Sequence, residues 1–311
     1  MNKQELLRYI GDVSQIGGIK DFTLNDGRGK GVRVIEINTG KVCISLLVDR
    51  GLDIAQASFK GEAVSWISKT AIVSPTFYEK DGKGFLRGFF GGLLTTCGLK
   101  NIGGATAEHG LHGRASNIPA EKVSVTADWI GDEYVMSVSA QMRDADVFGA
   151  NLLIKRTVST ALFSDTVTVE DTVINESFSD EKIALCYHCN FGYPLVCEDA
   201  RIIGVPSDVA SITAPTHGKK EECIDVPLTG DTATVGIENG KRAVYLTYKR
   251  DTMPDFLIWK MLGESEYVVG LEPRTTSLGG DKIEQCNKFV TLAPFEEYKT
   301  YLKFEFKEKE N

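Results

Sequence analysis

Apolar and polar residues alternate with period two over most of this 311-residue chain, which is the spacing of half-buried strands. Val32 and Val34 flank Arg33, and Ile35 and Ile37 flank Glu36. The adjacent Val34-Ile35 pair shifts the phase once, predicting a bulge or a strand buried on both faces. Residues 42–48 read as a buried strand, and Asn38-Thr39-Gly40 predicts a hairpin before it. Runs at 54–59 and 63–67 continue the meander through Lys60-Gly61. From Glu121 onward, strands are predicted over 123–129, 134–142, 152–160, 167–174 and 183–190. Later ones follow over 244–248, 256–259, 267–271, 289–292 and 298–306. Only residues 3–10 carry a helical pattern, with Leu6, Leu7 and Ile10 on one face. Residues 76–96 are glycine-rich and aromatic without strand periodicity, and so long an excursion in a sheet protein points to function. No Pro- or Ser-rich linker and no solenoid-length repeat divides the chain. The reading is all-β, one large antiparallel β-sandwich over 1–311 with a short N-terminal helix.

A net charge of −8 and a pI near 5.2 argue against a nucleic-acid partner, which needs a basic face. They leave room for a small neutral substrate such as a sugar. No apolar run is long enough to span a membrane, and no signal-peptide pattern opens the chain, so a cytoplasmic location is expected. Seven cysteines, at 43, 97, 186, 189, 197, 223 and 286, read as reduced thiols there. Edge strands of a large sandwich can pair across a two-fold axis, which makes a homodimer an expectation.

The chain has four histidines, and two lie in one hexapeptide, His109-Gly110-Leu111-His112-Gly113-Arg114. Histidine moves protons near neutral pH, and the glycines let backbone and ligand approach closely. Arg114 beside them suits sugar hydroxyls or an anion. Strand alternation puts Cys186, His188 and Asn190 on one face, with Leu185, Tyr187 and Cys189 on the other. Cys186 and Cys189, although spaced C-x-x-C, therefore face apart. Glu272 ends the apolar run 267–271 where Pro273 stops it, and a carboxylate at such a wall can titrate high and act as a base. His217, between Pro215 and Gly218, reads as a surface turn. Gly27-Arg28-Gly29-Lys30-Gly31 reads as a hairpin tip, since no strand-loop-helix context makes it a phosphate loop.

These pieces, in this order, resemble the aldose 1-epimerase (galactose mutarotase-like) superfamily, in its divergent branch filed as a domain of unknown function. Leu111-His112-Gly113 is similar to the first histidine motif, residues 187–194 to the second, and Gly270-Leu271-Glu272-Pro273 to the late glutamate. Residues 48–54 and 90–99 look like signatures of the divergent branch. The resemblance runs over nearly the whole chain. It implies a β-supersandwich and interconversion of sugar α and β anomers without a cofactor or metal. It makes Glu272 the general base, His188 the general acid and His112 the group that positions the sugar, with His109 as a second candidate for that place. Sugar-binding roles are expected for Arg87, Arg114, Asn190, Arg50, Asp53 and Trp259, with Asp49 and Trp66 nearby. Lys100 and Arg274 are further cations for a sugar phosphate. Two rivals remain open: a metal-dependent sugar isomerase using His109, His112, His188 and Glu272, and a non-catalytic carbohydrate-binding protein.

Overall fold

The computed structural model describes residues 2–276 and 289–309; Cys286 lies outside the described residues. Strands β1 (Gly18–Thr23), β2 (Arg33–Asn38), β3 (Val42–Leu47), β4 (Asp53–Phe59) and β5 (Glu62–Ala63) pair in sequence as a five-stranded antiparallel sheet. After β6 (Thr95–Leu99) come β7 (Glu121–Ile130), β8 (Glu133–Ala145), β9 (Asn151–Ala161), β10 (Thr166–Asn175) and β11 (Glu181–Gly192). The chain continues through β12 (Arg201–Ile203), β13 (Glu222–Asp225), β14 (Thr232–Glu238) and β15 (Arg242–Lys249). It closes with β16 (Asp255–Gly263), β17 (Glu266–Arg274), β18 (Val290–Leu292) and β19 (Glu297–Glu308). An eight-stranded sheet runs β12-β14-β15-β19-β10-β9-β8-β7, and a third runs β13-β16-β17-β11-β18 with β6 also paired to β11.

One hydrophobic cluster draws on all three sheets, through Ile35 and Ile37 of β2, Val138 of β8 and Leu271 of β17 among others. Val34 instead packs with Val32, Leu47, Ala55 and Phe90, so β2 is buried on both faces and the phase shift needs no bulge there. The register shift falls in β3, between Ile44 and Leu46. Asn38-Thr39-Gly40 forms the predicted hairpin turn, and residues 27–29 form a 3-10 turn between β1 and β2.

The N-terminal helix is Lys3–Leu7, shorter than predicted. Asn2 and Glu5 close a capping box at its start, and Arg8 already caps its end. Leu6 and Ile10 still pack on Leu162, while Leu7 faces solvent. A second short helix, Gly84–Gly88, was not predicted, because glycines bound it and Lys83 offers no side-chain cap. No helix among the described residues is long and apolar enough to cross a membrane.

A buried polar knot ties the sheets beneath β11. The Arg156 guanidinium of β9 donates to both oxygens of Asp171 (2.8 and 2.6 Å), to Asp53 (2.7 Å) and to the Thr96 hydroxyl (2.8 Å). The Tyr187 hydroxyl donates to Asp171 at 2.6 Å. Arg156 and Asp53 are wholly enclosed, and burial lifts Asp53 to about 6 even with Arg156 against it. Asp53 therefore holds the fold and does not contact a sugar, which corrects the sequence-based expectation.

Candidate active site

Strand register builds the site's floor. β11 lies between β6 and β17, and its Cα partners are Cys97 and Arg274 for Cys186, Thr95 for His188, and Gly270 for Asn190. That register sets His188 opposite Glu272. β16 follows, with Asp255 opposite Arg274, Leu257 opposite Glu272 and Trp259 opposite Gly270. Directly paired residues share a face, so Cys97, Cys186, His188, Glu272, Arg274 and Trp259 share one surface. The other face of β11 is apolar: Leu185, Tyr187, Cys189 and Phe191 enter the central cluster, as alternation predicted. Burying such a side chain contributes about 1.5–3 kcal/mol, which is what holds the polar face at its height.

His188 Nε2 lies 3.2 Å from Glu272 Oε1, and the two residues are only 5% and 2% exposed. The Cys186 thiol donates to Glu272 Oε2 at 3.6 Å. Nδ1 of His188 is buried without a hydrogen-bond partner among the described residues. Aromatic rings collar the pair: Phe89 and Trp259 each stand 5.1 Å from the His188 ring, and Trp66 lies 6.0 Å from Trp259. His112 closes the collar, 5.8 Å from His188 and 4.9 Å from Phe85.

Two glycines fix His112. Its own φ is +58° and that of Gly113 is +67°. A Cβ on Gly113 would meet the Gly98 carbonyl oxygen at 2.3 Å, and the Gly98 amide donates to the His112 carbonyl at 3.0 Å. Gly113→Ala is therefore expected to destabilise the protein by about 2 kcal/mol or more, from left-handed strain and the backbone clash. The midpoint of urea unfolding measures it, and an unchanged midpoint would refute the packing argument. The Gly103 amide donates to His112 Nδ1 at 3.3 Å, which leaves Nε2 to carry the ring's N–H.

Burial dominates the electrostatics. It raises Glu272 to about 8, helped by Cys97 and opposed by His112, Arg274 and the Cys186 bond. Burial, with the His112 charge, lowers His188 to about 3. Desolvation also pushes His112 down, but Cys97, Glu272 and Glu221 push it up further and the net is upward. A thiol–thiol hydrogen bond lowers Cys97 and raises Cys186.

Of the residues expected from sequence, the fold brings His188, Glu272, His112 and Trp259 together, with Trp66 beside them. Asn190 reaches the same face but donates to the Gly92 and His188 carbonyls, both at 3.0 Å. Arg50 does not take part. It is buried and spent on the carbonyls of Ser116 (2.6 Å), Val73 (2.6 Å) and Gly88 (3.2 Å), bracing the segment that carries Phe89. Arg87 points to solvent and pairs with Glu79. Asp49 accepts from the Arg33 amide at 2.7 Å. His109, Arg114 and Lys100 line a separate cavity of about 320 Å³ with Tyr78, Lys80 and Asp144; His188, Glu272 and His112 do not line it. Arg114 is held there by Asp144, 2.5 Å away. His217 is a surface residue beside Glu264, as predicted.

The four-ligand set His109, His112, His188 and Glu272 is thus not assembled. Among the described residues no group of three or more His, Cys, Asp or Glu side chains is arranged to hold a metal ion. Sequence reasoning missed Cys97, Phe85 and Phe89. Phe85 and Phe89 lie in the glycine-rich region and Cys97 just beyond it in the short β6, where neither periodicity had a run long enough to register.

Residues 29–306 match the family described as "Domain of unknown function (DUF4432)". No curated protein matches the chain. Among solved structures, a candidate aldose 1-epimerase from Klebsiella pneumoniae superposes with a TM-score of 0.88 at 20% identity, covering 98% of this chain and 86% of that one. A galactose mutarotase-like protein from Clostridium acetobutylicum gives a TM-score of 0.66 at 15% identity, covering 95% and 100%. One from Lactobacillus casei gives 0.60 at 14% identity, covering 88% and 100%. At these identities the likeness is one of fold, and the fold is galactose mutarotase-like.

Proposed function

The chain belongs to the DUF4432 family, and from that premise and the site's geometry we propose that it is an aldose 1-epimerase-like isomerase. It interconverts the α and β anomers of a sugar by ring opening and closure. The observation that carries this reading is the buried His188–Glu272 contact, in which one imidazole nitrogen faces a carboxyl and the other has no partner among the described residues.

The displacements of the two groups mean that the resting pair near neutral pH holds a single proton, on the carboxyl. Passing it across 3.2 Å to Nε2 creates a carboxylate and an imidazolium. Glu272 then takes the proton of the anomeric hydroxyl while Nδ1–H of His188 protonates the ring oxygen. The C1–O5 bond breaks, and the products are an open-chain aldehyde, a protonated Glu272 and a neutral imidazole. Rotation about C1–C2 and the reverse sequence give the other anomer. Nε2–H of His112, with its upward pKa, stabilises charge developing on the sugar oxygens. The aromatic collar excludes water and offers faces to the sugar ring.

The test is magnetisation-exchange NMR between α and β anomers over a panel of free and phosphorylated aldoses. Accelerated exchange is expected, with kcat/KM falling as pH rises through about 8, where the pair loses its one proton. No acceleration over the panel would overturn the reading.

A further inference from the structure

Arg274 lies two residues beyond Glu272 on β17, so the two side chains leave the same face of the strand. Its Cα partner on β11 is Cys186, the residue that also donates to Glu272. The guanidinium is 2% exposed, yet among the described residues only its Nη2 is engaged, on the carboxylate of Asp225, which is itself 74% exposed. Nε and Nη1 are buried with no partner among the described residues. A buried cation with two unmet donors is costly unless something fills them, and most buried polar groups in proteins are satisfied. The surface ion pair does not account for the arrangement, since an exposed carboxylate contributes little and needs one nitrogen. His188 Nδ1 and Asn190 Oδ1 on this face also have no partner among the described residues. Together they make a set of donors and acceptors suited to a ligand rich in oxygen.

We propose that Arg274 orients the sugar and sets its specificity, donating from Nε and Nη1 to two sugar oxygens. The shared chemistry is an oxygen acceptor, supplied by hydroxyls of a neutral aldose or by the carboxylate of a uronic acid. This rests on the sugar-isomerase reading of the same site and extends it to substrate choice. Lysine keeps the charge but not the planar, multiply donating head, so Arg274→Lys removes the recognition and leaves the cation.

The experiment compares wild type, Arg274→Lys, Arg274→Gln and Asp225→Asn on D-galactose, D-glucose and D-glucuronic acid. Anomer exchange is read by NMR, and binding by titration of the sugar signals. The Arg274 variants are expected to raise KM about tenfold to a hundredfold with kcat nearly unchanged, the larger loss naming the acceptor, while Asp225→Asn stays near wild type. Unchanged KM in folded Arg274→Lys, or an equal loss in Asp225→Asn, would overturn the proposal and leave Arg274 as an ion-pair partner. If wild type binds a sugar through Arg274 but accelerates no exchange, this proposal stands and the isomerase reading falls. If no sugar is bound or turned over, both fall.

Discussion

Replacing Glu272 by Gln is expected to slow anomer exchange by about 10²- to 10⁴-fold, the usual contribution of a positioned proton-transfer group. Gln fills the same volume against Cys186 and His188 but cannot give up or take a proton. His188→Asn should fall by a similar factor. The double variant should be little worse than either single one, because the two residues share one proton and act as a unit. Additive losses would mean that they act separately and would refute the shared-proton scheme.

The same variant carries a stability prediction of definite sign. Burial raises Glu272 from 4.5 to about 8, so the native state holds its proton more tightly than the unfolded chain does. That stabilisation is complete below pH 4.5 and is lost as pH rises through about 8. Glu272→Gln, permanently neutral, should match wild type near pH 5 and exceed it near pH 9 by on the order of 2–4 kcal/mol. Urea unfolding at the two pH values measures the difference. A variant less stable than wild type at pH 9 would show that the carboxylate is well solvated or paired after all.

The second large effect concerns the knot beneath the site. Arg156→Met should destabilise the protein by about 3–5 kcal/mol, since it leaves Asp53 and Asp171 buried without their shared cation. Arg156→Lys should recover only part of this. One ammonium cannot span Asp53, both oxygens of Asp171 and the Thr96 hydroxyl as the guanidinium does. Because Thr96 adjoins Cys97 and Tyr187 adjoins His188, loss of the knot should also loosen the floor of the site. Urea midpoints for the three proteins check the order, and wild-type stability in Arg156→Met would refute it.

The alternation of residues 185–191 was enough, read as a string, to place His188 on one face and Tyr187 and Cys189 on the other. The strand is buried on both sides, so its polar and apolar sets follow the pleat. Pro273 was expected to stop the strand at Glu272, but β17 runs through it to Arg274 with Phe256 opposite Pro273, so the carboxylate leaves the strand before its end; Leu111-His112-Gly113 marked the loop that delivers the second imidazole. Arg50, Asp53, Arg87, Arg114 and His109 are the same residue types, but their use depends on partners distant in sequence. Asp53 meets Arg156 across 103 residues, and Arg50 meets Ser116 across 66. Cys97 and Phe89 were illegible for a related reason. A short strand and a glycine-bounded helical turn hold their shape through contacts with β11 and the aromatic collar, not through local propensity. Local periodicity thus determined the β class, the main strands and the proton-transfer pair's faces, because those depend on neighbours two residues away. Which charged groups line the site and which brace the core was decided by strand register and burial, and these exist only once the sheets have packed.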